Sequence, residues 1–132
     1  MSLREVYAGH AARAALARQF AEIFADYDLL LTPTMPTPPP AADTPYHSQA
    51  FDRWRDAVPY TLPSNLTGLP AASMPCGLSR DGLPIGLQMV APRAAEPLLL
   101  RAALAYEQAF DWPWPQAALS ESLARIEARS AP

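Results

Sequence analysis

The sequence predicts an α/β fold, a small sheet with covering helices, on three observations. Leu16, Phe20, Ile23 and Phe24 recur at i, i+4, i+7 and i+8 in a stretch rich in alanine, arginine and glutamate, the spacing of an amphipathic helix. Two short apolar runs, Ala71 to Met74 and Ile85 to Val90, flank Ser79-Arg80-Asp81-Gly82. That is a hairpin signal, because Asp-Gly supplies the positive φ angles of a tight reversal. Leu99, Ala103, Tyr106 and Phe110 then fall at i, i+4, i+7 and i+11, which gives a second helix one face to lay on a sheet.

Taken in order, the first helix is expected from Ser2 to Ala25. It begins almost at Met1, as a helix cut from something longer would, and Met1-Ser2-Leu3 also reads as an expression scar. Asp26-Tyr27-Asp28 ends it. Leu29-Leu30-Leu31-Thr32 follows as a short apolar run stopped by Pro33, the pattern of a buried parallel strand. Ligands of α/β sheets collect at the carboxyl ends of such strands, so Thr32 to Thr37 is a candidate site.

Six of the 16 prolines lie between Pro33 and Pro45, a stretch that can be neither helix nor central strand. Pro36 to Ser48 is therefore a long loop with His47 exposed on it. It fits a lid, a P-x-x-P ligand at Pro36-Thr37-Pro38-Pro39, or a plain surface connection, and the last needs no partner. Ala50 to Leu62 reads as an irregular helical segment interrupted by Pro59, with Phe51 and Trp54 packing on the sheet.

Each strand of the hairpin is entered through Gly-x-Pro, Gly68-Leu69-Pro70 and Gly82-Leu83-Pro84, in which proline fixes φ and keeps its neighbour extended. In the second run only Gln88 is polar, so that strand is expected to be buried on both faces. A buried glutamine must find hydrogen-bond partners. Glu96 and Pro97 suit the first turn of a helix running to Phe110, a crossover-type cover for the sheet. Asp111-Trp112-Pro113-Trp114-Pro115 breaks it, and Leu119, Leu123 and Ile126 suggest a short tail helix docked on the body or on a partner.

Asn65-Leu66-Thr67-Gly68-Leu69-Pro70-Ala71, Pro75-Cys76-Gly77 and Asp81-Gly82-Leu83-Pro84-Ile85-Gly86-Leu87-Gln88, together with Asp28-Leu29-Leu30-Leu31-Thr32-Pro33-Thr34, resemble the C-terminal part of the amidase signature family. Several spaced motifs in consistent order, over roughly residues 1 to 110, make that resemblance specific. It implies the C-terminal segment of a mixed-sheet fold, with residues 1–115 a partial amidase signature domain and 116–132 a tail. It also implies hydrolysis of carboxamide C–N bonds, with a small-molecule amide as partner. Family members place substrate-lining residues seven and three positions before the motif asparagine, which gives Val58 and Leu62 here. Glutamine-specific members carry an aspartate at the first of these to pair with the substrate's α-amino group. The aliphatic Val58 points instead to an apolar acyl or aryl amide, although a two-residue register shift would bring in Asp56.

The bond-cleaving groups of the family are a serine, a second serine in cis linkage and a lysine, with the nucleophile in a Gly-Gly-Ser-Ser-Gly-Gly type loop. This sequence has no such loop and no lysine; all ten of its basic residues are arginine, which stays protonated and cannot act as a base. Cys76 with His10 or His47 is the obvious substitute, yet a cysteine between Pro75 and Gly77 has no local activating charge. Ser64 and Ser73 have no base within reach by sequence. The chain by itself is thus expected to be inactive, with no catalytic residue, no cofactor and no metal ligand set, two histidines and one cysteine being too few for a zinc-like cluster. Asn65, Gly68, Pro70 and Gln88 read as structural: the two amides satisfy buried backbone groups, Gly68 gives a turn and Pro70 opens a strand.

Composition closes off other classes. A chain of 132 residues, half hydrophobic and 17% charged, is one globular domain's worth. A net charge of -3 with scattered arginines argues against nucleic acid. No apolar run approaches the ~18 residues a bilayer requires. One cysteine and no signal-like start place the chain in the cytoplasm. The alternative to an amidase segment is a non-catalytic module that binds or dimerises through exposed sheet edges.

Overall fold

The computed structural model describes residues 1–39 and 54–110, together with Ser120. Helix α1 (Leu3–Asp26) leads into strand β1 (Leu30–Pro33). A 3-10 turn at Trp54–Ala57 and helix α2 (Leu62–Thr67) precede strands β2 (Ala71–Leu78) and β3 (Pro84–Val90), and helix α3 (Glu96–Ala109) follows. The proline loop beyond Pro39, with His47 and Phe51, and the tail helix expected after Pro115 lie outside the described residues.

α1 starts at a capping box. The Ser2 hydroxyl accepts from the Glu5 N–H at 3.3 Å, and the Glu5 carboxylate accepts from the Ser2 N–H at 2.5 Å, so two of the first turn's donors are satisfied reciprocally. The backbone hydrogen bond from Ser2, then the Ser2 hydroxyl, hold the Glu5 carboxyl below its ordinary value. The apolar stripe packs loosely: Phe20 and Phe24 stack at 6.3 Å, but none of the helix's 24 residues is buried.

The sheet has the order β1-β3-β2 and both pairings are antiparallel. The parallel strand expected at Leu29–Thr32 is thus corrected. A four-residue apolar run carries no information about direction, and β3, already reversed by the hairpin, sets it. The hairpin is also wider than a tight Asp-Gly reversal. Its loop runs from Ser79 to Leu83, closed by Ser79 N–H to Leu83 C=O at 2.8 Å, and only Gly82 takes a positive φ, 77°. The Ser79 hydroxyl accepts from the Asp81 and Leu83 amides at 3.3 and 3.1 Å, tying down groups that a shorter turn would have paired across the strands. β2 extends well past Met74 by means of a bulge: Pro75 pairs with Gly86 and Gly77 with Ile85, leaving Cys76 as the extra residue.

The core lies on one face of this sheet. Met74, Met89, Ala91 and Leu99 are buried together, with Ala72, Leu87, Ala102, Ala103 and Tyr106 packed against them. α3 provides the lid of that core through Leu99. Phe110, expected on the buried face, is exposed and instead rests on the Tyr106 ring at 4.7 Å, because α3 ends one residue before it. β3 is buried only at Gln88, Met89 and Val90, whereas Pro84 and Ile85 stand in solvent beyond the reach of α3. Burial on both faces is therefore confined to the C-terminal end of the strand. α3 covers β2 and β3; no described strand follows it to make a crossover.

Candidate functional site: a turn held against a polar sheet face

Strand alternation gives the sheet a second, polar face. Thr32 and Ser73 both pair with Gln88, and Thr34 lies beside Gly86 through its N–H to the Gly86 carbonyl at 2.9 Å. The Thr34 and Ser73 hydroxyls meet at 2.6 Å, across a position that has no side chain. A Cβ on Gly86 would stand 2.7 Å from the Thr34 hydroxyl oxygen and 2.9 Å from the Thr34 Cβ, so the bridge exists because residue 86 is glycine.

The segment carrying Val58 and Leu62 is held beside this face. Pro59 prevents the 3-10 turn from continuing, and the chain coils back so that the Leu62 N–H donates to the Val58 carbonyl at 3.1 Å. One turn thus brings both residues together, each half-buried. Leu62 starts α2, and Pro63 sits in its first turn, where a missing N–H costs nothing. No periodicity marks that six-residue helix, which is too short for an apolar stripe, although Pro63 and Gly68 bracket it as start and stop signals.

Gly68 is the left-handed C-cap of α2, at φ 68° and ψ 35°. Beyond it the Arg93 guanidinium donates to the Thr67 carbonyl at 2.5 Å, placing a cation at the negative end of the helix. Inside the helix, the Ser64 and Thr67 hydroxyls donate back to the carbonyls of Thr61 and Pro63, both at 2.8 Å, which satisfies two buried side chains. Asn65 is exposed on the outer side of α2, so the expectation that its amide satisfies buried backbone groups is corrected for that residue. Pro70 stands at the entry to β2 and its carbonyl accepts from the Ala91 N–H at 3.0 Å.

Gln88, 3% exposed, is the link between sheet and turn. Its Nε2 donates to the Thr32 hydroxyl at 2.9 Å and to the Tyr60 carbonyl at 2.8 Å. A carbonyl can only accept, so the contact with Tyr60 also settles which end of the carboxamide faces the turn.

A separate cleft of about 450 Å³ opens at the carboxyl end of β1, between Thr34 to Pro39 and the hairpin residues Ser79 and Leu83 to Gly86. It includes part of the Thr32–Thr37 stretch singled out from sequence, but neither Val58 nor Leu62 lines it. Cys76 is exposed in the β2 bulge. Among the described residues no cluster of three or more His, Cys, Asp or Glu side chains is arranged to hold a metal ion, and no helix is long and apolar enough to cross a membrane.

Comparison with known proteins agrees with this architecture. The amidase family model matches residues 3–100. A glutamyl-tRNA(Gln) amidotransferase subunit from Streptococcus equi subsp. zooepidemicus (strain MGCS10565) is 42% identical over 100 residues, covering 76% of this chain and 20% of that protein. Its counterpart from Synechococcus sp. (strain RCC307) is 48% identical over 100 residues, covering 75% of this chain and 20% of that protein. In three dimensions the chain is similar to 6-aminohexanoate cyclic dimer hydrolase, with a TM-score of 0.65 and 30% identity over 86% of this chain and 26% of the hydrolase. The chain therefore spans about a fifth of the length of the curated relatives it matches. With α1, all three strands and the turn carrying Val58 and Leu62 inside the matched span, this chain belongs to the amidase family.

Proposed function

We propose that this chain supplies the sheet core and the acyl side of the pocket for hydrolysis of a carboxamide C–N bond, that Val58 and Leu62 face the substrate's acyl group, and that the chain is inactive by itself. The observation that carries the reading is the family match over residues 3–100 in a sequence without a single lysine. The fold is kept while the proton shuttle and nucleophile loop that the resemblance requires are not in this sequence. α1 adds to it: 24 residues with none buried make a helix whose apolar stripe still needs a neighbour, and the remainder of an amidase body has the extent to provide one.

The substrate we favour is a small apolar amide, acted on in the cytoplasm. Two kinds of relative pull in different directions here, an amidotransferase named for glutamyl-tRNA(Gln) and a hydrolase named for a cyclic 6-aminohexanoate dimer. Val58 favours the second, since an aliphatic side chain offers nothing to an α-ammonium group and welcomes methylenes. The test is to place residues 3–100 in the corresponding segment of a full-length amidase and measure turnover of an apolar amide. Activity should survive the exchange, and Val58→Asp should lower kcat/KM by about tenfold or more, because a carboxylate must be desolvated in the pocket. A folded hybrid in which Val58→Asp leaves the kinetics unchanged would remove the pocket assignment.

A second reading rests on β1. It is an edge of the described sheet, and Leu31 on it is 54% exposed, so a non-catalytic module dimerising through that edge is the alternative. Sedimentation over a wide concentration range decides: a dimer abolished by Leu31→Lys supports it, and a monomer throughout eliminates it.

A further inference from the structure

We propose that Gln88 is a positioning residue for the pocket, fixing the turn that presents Val58 and Leu62 through its hydrogen bond to the Tyr60 carbonyl. The proposal rests on the reading of Val58 and Leu62 given above, and adds the residue that sets where they stand.

The geometry behind it is a three-point bridge. Gln88 comes from the central strand, at the end where β3 is most buried. One arm of its carboxamide reaches the Thr32 hydroxyl on β1 and the other reaches Tyr60, midway between Val58 and Leu62. The turn itself is closed by local backbone bonds, Val58 N–H to Arg55 C=O and Leu62 N–H to Val58 C=O. Such bonds shape a turn without saying where it sits on the sheet. Among the described residues the contact from Gln88 to Tyr60 is the side-chain hydrogen bond that ties this turn to β3. Both carboxamide protons are committed, so the side chain is pinned between a strand and a turn. A one-rotamer change would leave the buried Gln88 amide without its acceptors.

The role differs from plain core packing, because what matters is a donor aimed at one carbonyl. Gln88→Met keeps length and volume and removes the donor. Gln88→Glu keeps shape and polarity and sets a carboxylate oxygen against the Tyr60 carbonyl. Thr32→Val cuts the other arm and leaves the Tyr60 contact in place, so it serves as the control for stability lost from the same bridge.

The experiment is amide hydrogen exchange on the full chain, read at Val58 and Leu62 and, as an internal reference, at Ala91, whose N–H is bonded to Pro70 C=O. Gln88→Met and Gln88→Glu should both speed exchange at Leu62 by up to about tenfold, the worth of one hydrogen bond, with Ala91 unchanged. Thr32→Val should leave Leu62 unchanged relative to Ala91. Unaltered exchange at Leu62, or an equal acceleration at Leu62 and Ala91, overturns the proposal, since the first shows no tie and the second shows only general loosening. The same Gln88→Met change in the hybrid amidase should raise KM for the apolar amide more than it lowers kcat. If exchange at Leu62 quickens and KM does not move, Gln88 still positions the turn and it is the assignment of Val58 and Leu62 to the pocket that fails.

Discussion

Leu99→Ala is expected to destabilise the chain by about 3 kcal/mol, within the range of about 2–5 kcal/mol for truncating a buried leucine. The reason is the size of the core. Leu99 is 5% exposed and packs with Met74, Met89 and Ala91, and it is the one residue that α3 buries. A cluster this small has few side chains with which to refill a cavity, so the lost contacts are not recovered by rearrangement. Alanine's better helix propensity returns only a few tenths of a kcal/mol. Urea unfolding should show the midpoint falling at unchanged slope. Leu100→Ala is the control on the next residue of the same helix, where the side chain is 66% exposed. It should stay within about 0.5 kcal/mol of the parent. Equal losses at the two positions would mean that α3 does not lie on the sheet by its Leu99 face.

The second large effect is expected at Gly86. An alanine methyl there would stand 2.7 Å from the Thr34 hydroxyl oxygen, 2.9 Å from the Thr34 Cβ and 3.1 Å from the Ser73 hydroxyl oxygen. The hydroxyl can turn away and break its 2.6 Å bond to Ser73, but the Thr34 Cβ is fixed to the backbone that pairs with Gly86. Strain of overpacking, about 1–3 kcal/mol, therefore adds to the loss of one hydrogen bond, about 1 kcal/mol, for a total near 3 kcal/mol. The clash predicts an order among second changes. Thr34→Ala beside Gly86→Ala removes only the oxygen contact and should recover little. Thr34→Gly removes the Cβ as well and should recover more, net of glycine's added chain entropy. Thermal unfolding of the four proteins tests this, and a Gly86→Ala chain as stable as the parent would show that β1 does not pair with β3 in this register.

Much of this architecture is written in local sequence. The i, i+4, i+7 stripe around Phe20 marks α1, Glu96-Pro97 marks the start of α3, and Gly-x-Pro marks the approach to both hairpin strands, because caps, periodicity and proline act over a few residues and need no distant partner. The family motifs from Asn65 to Gln88 are legible for the same reason. Elements governed by partners far away in sequence read less well. The direction of β1, the bulge at Cys76 and the solvent-facing position of Phe110 all depend on where another strand or helix ends. α2 leaves no periodic trace because a helix of six residues has no room for a stripe, and the outward position of Asn65 follows from that helix.

The candidate site divides along the same line. Sequence alone determined that Val58 and Leu62 lie in one proline-interrupted segment, that Gln88 would be buried and need partners, and that the chain carries no lysine to serve an amidase. Which partners Gln88 takes was decided only in the folded chain. Thr32 lies 56 residues before it and Tyr60 lies 28 before it, and no local pattern relates them. The bridge between Thr34 and Ser73 over Gly86 spans 39 residues and is equally silent in the sequence. A short-range signal records what a residue's own backbone allows. A polar bridge across a sheet records which segments come within about 3 Å of one another, and that distance is set by packing.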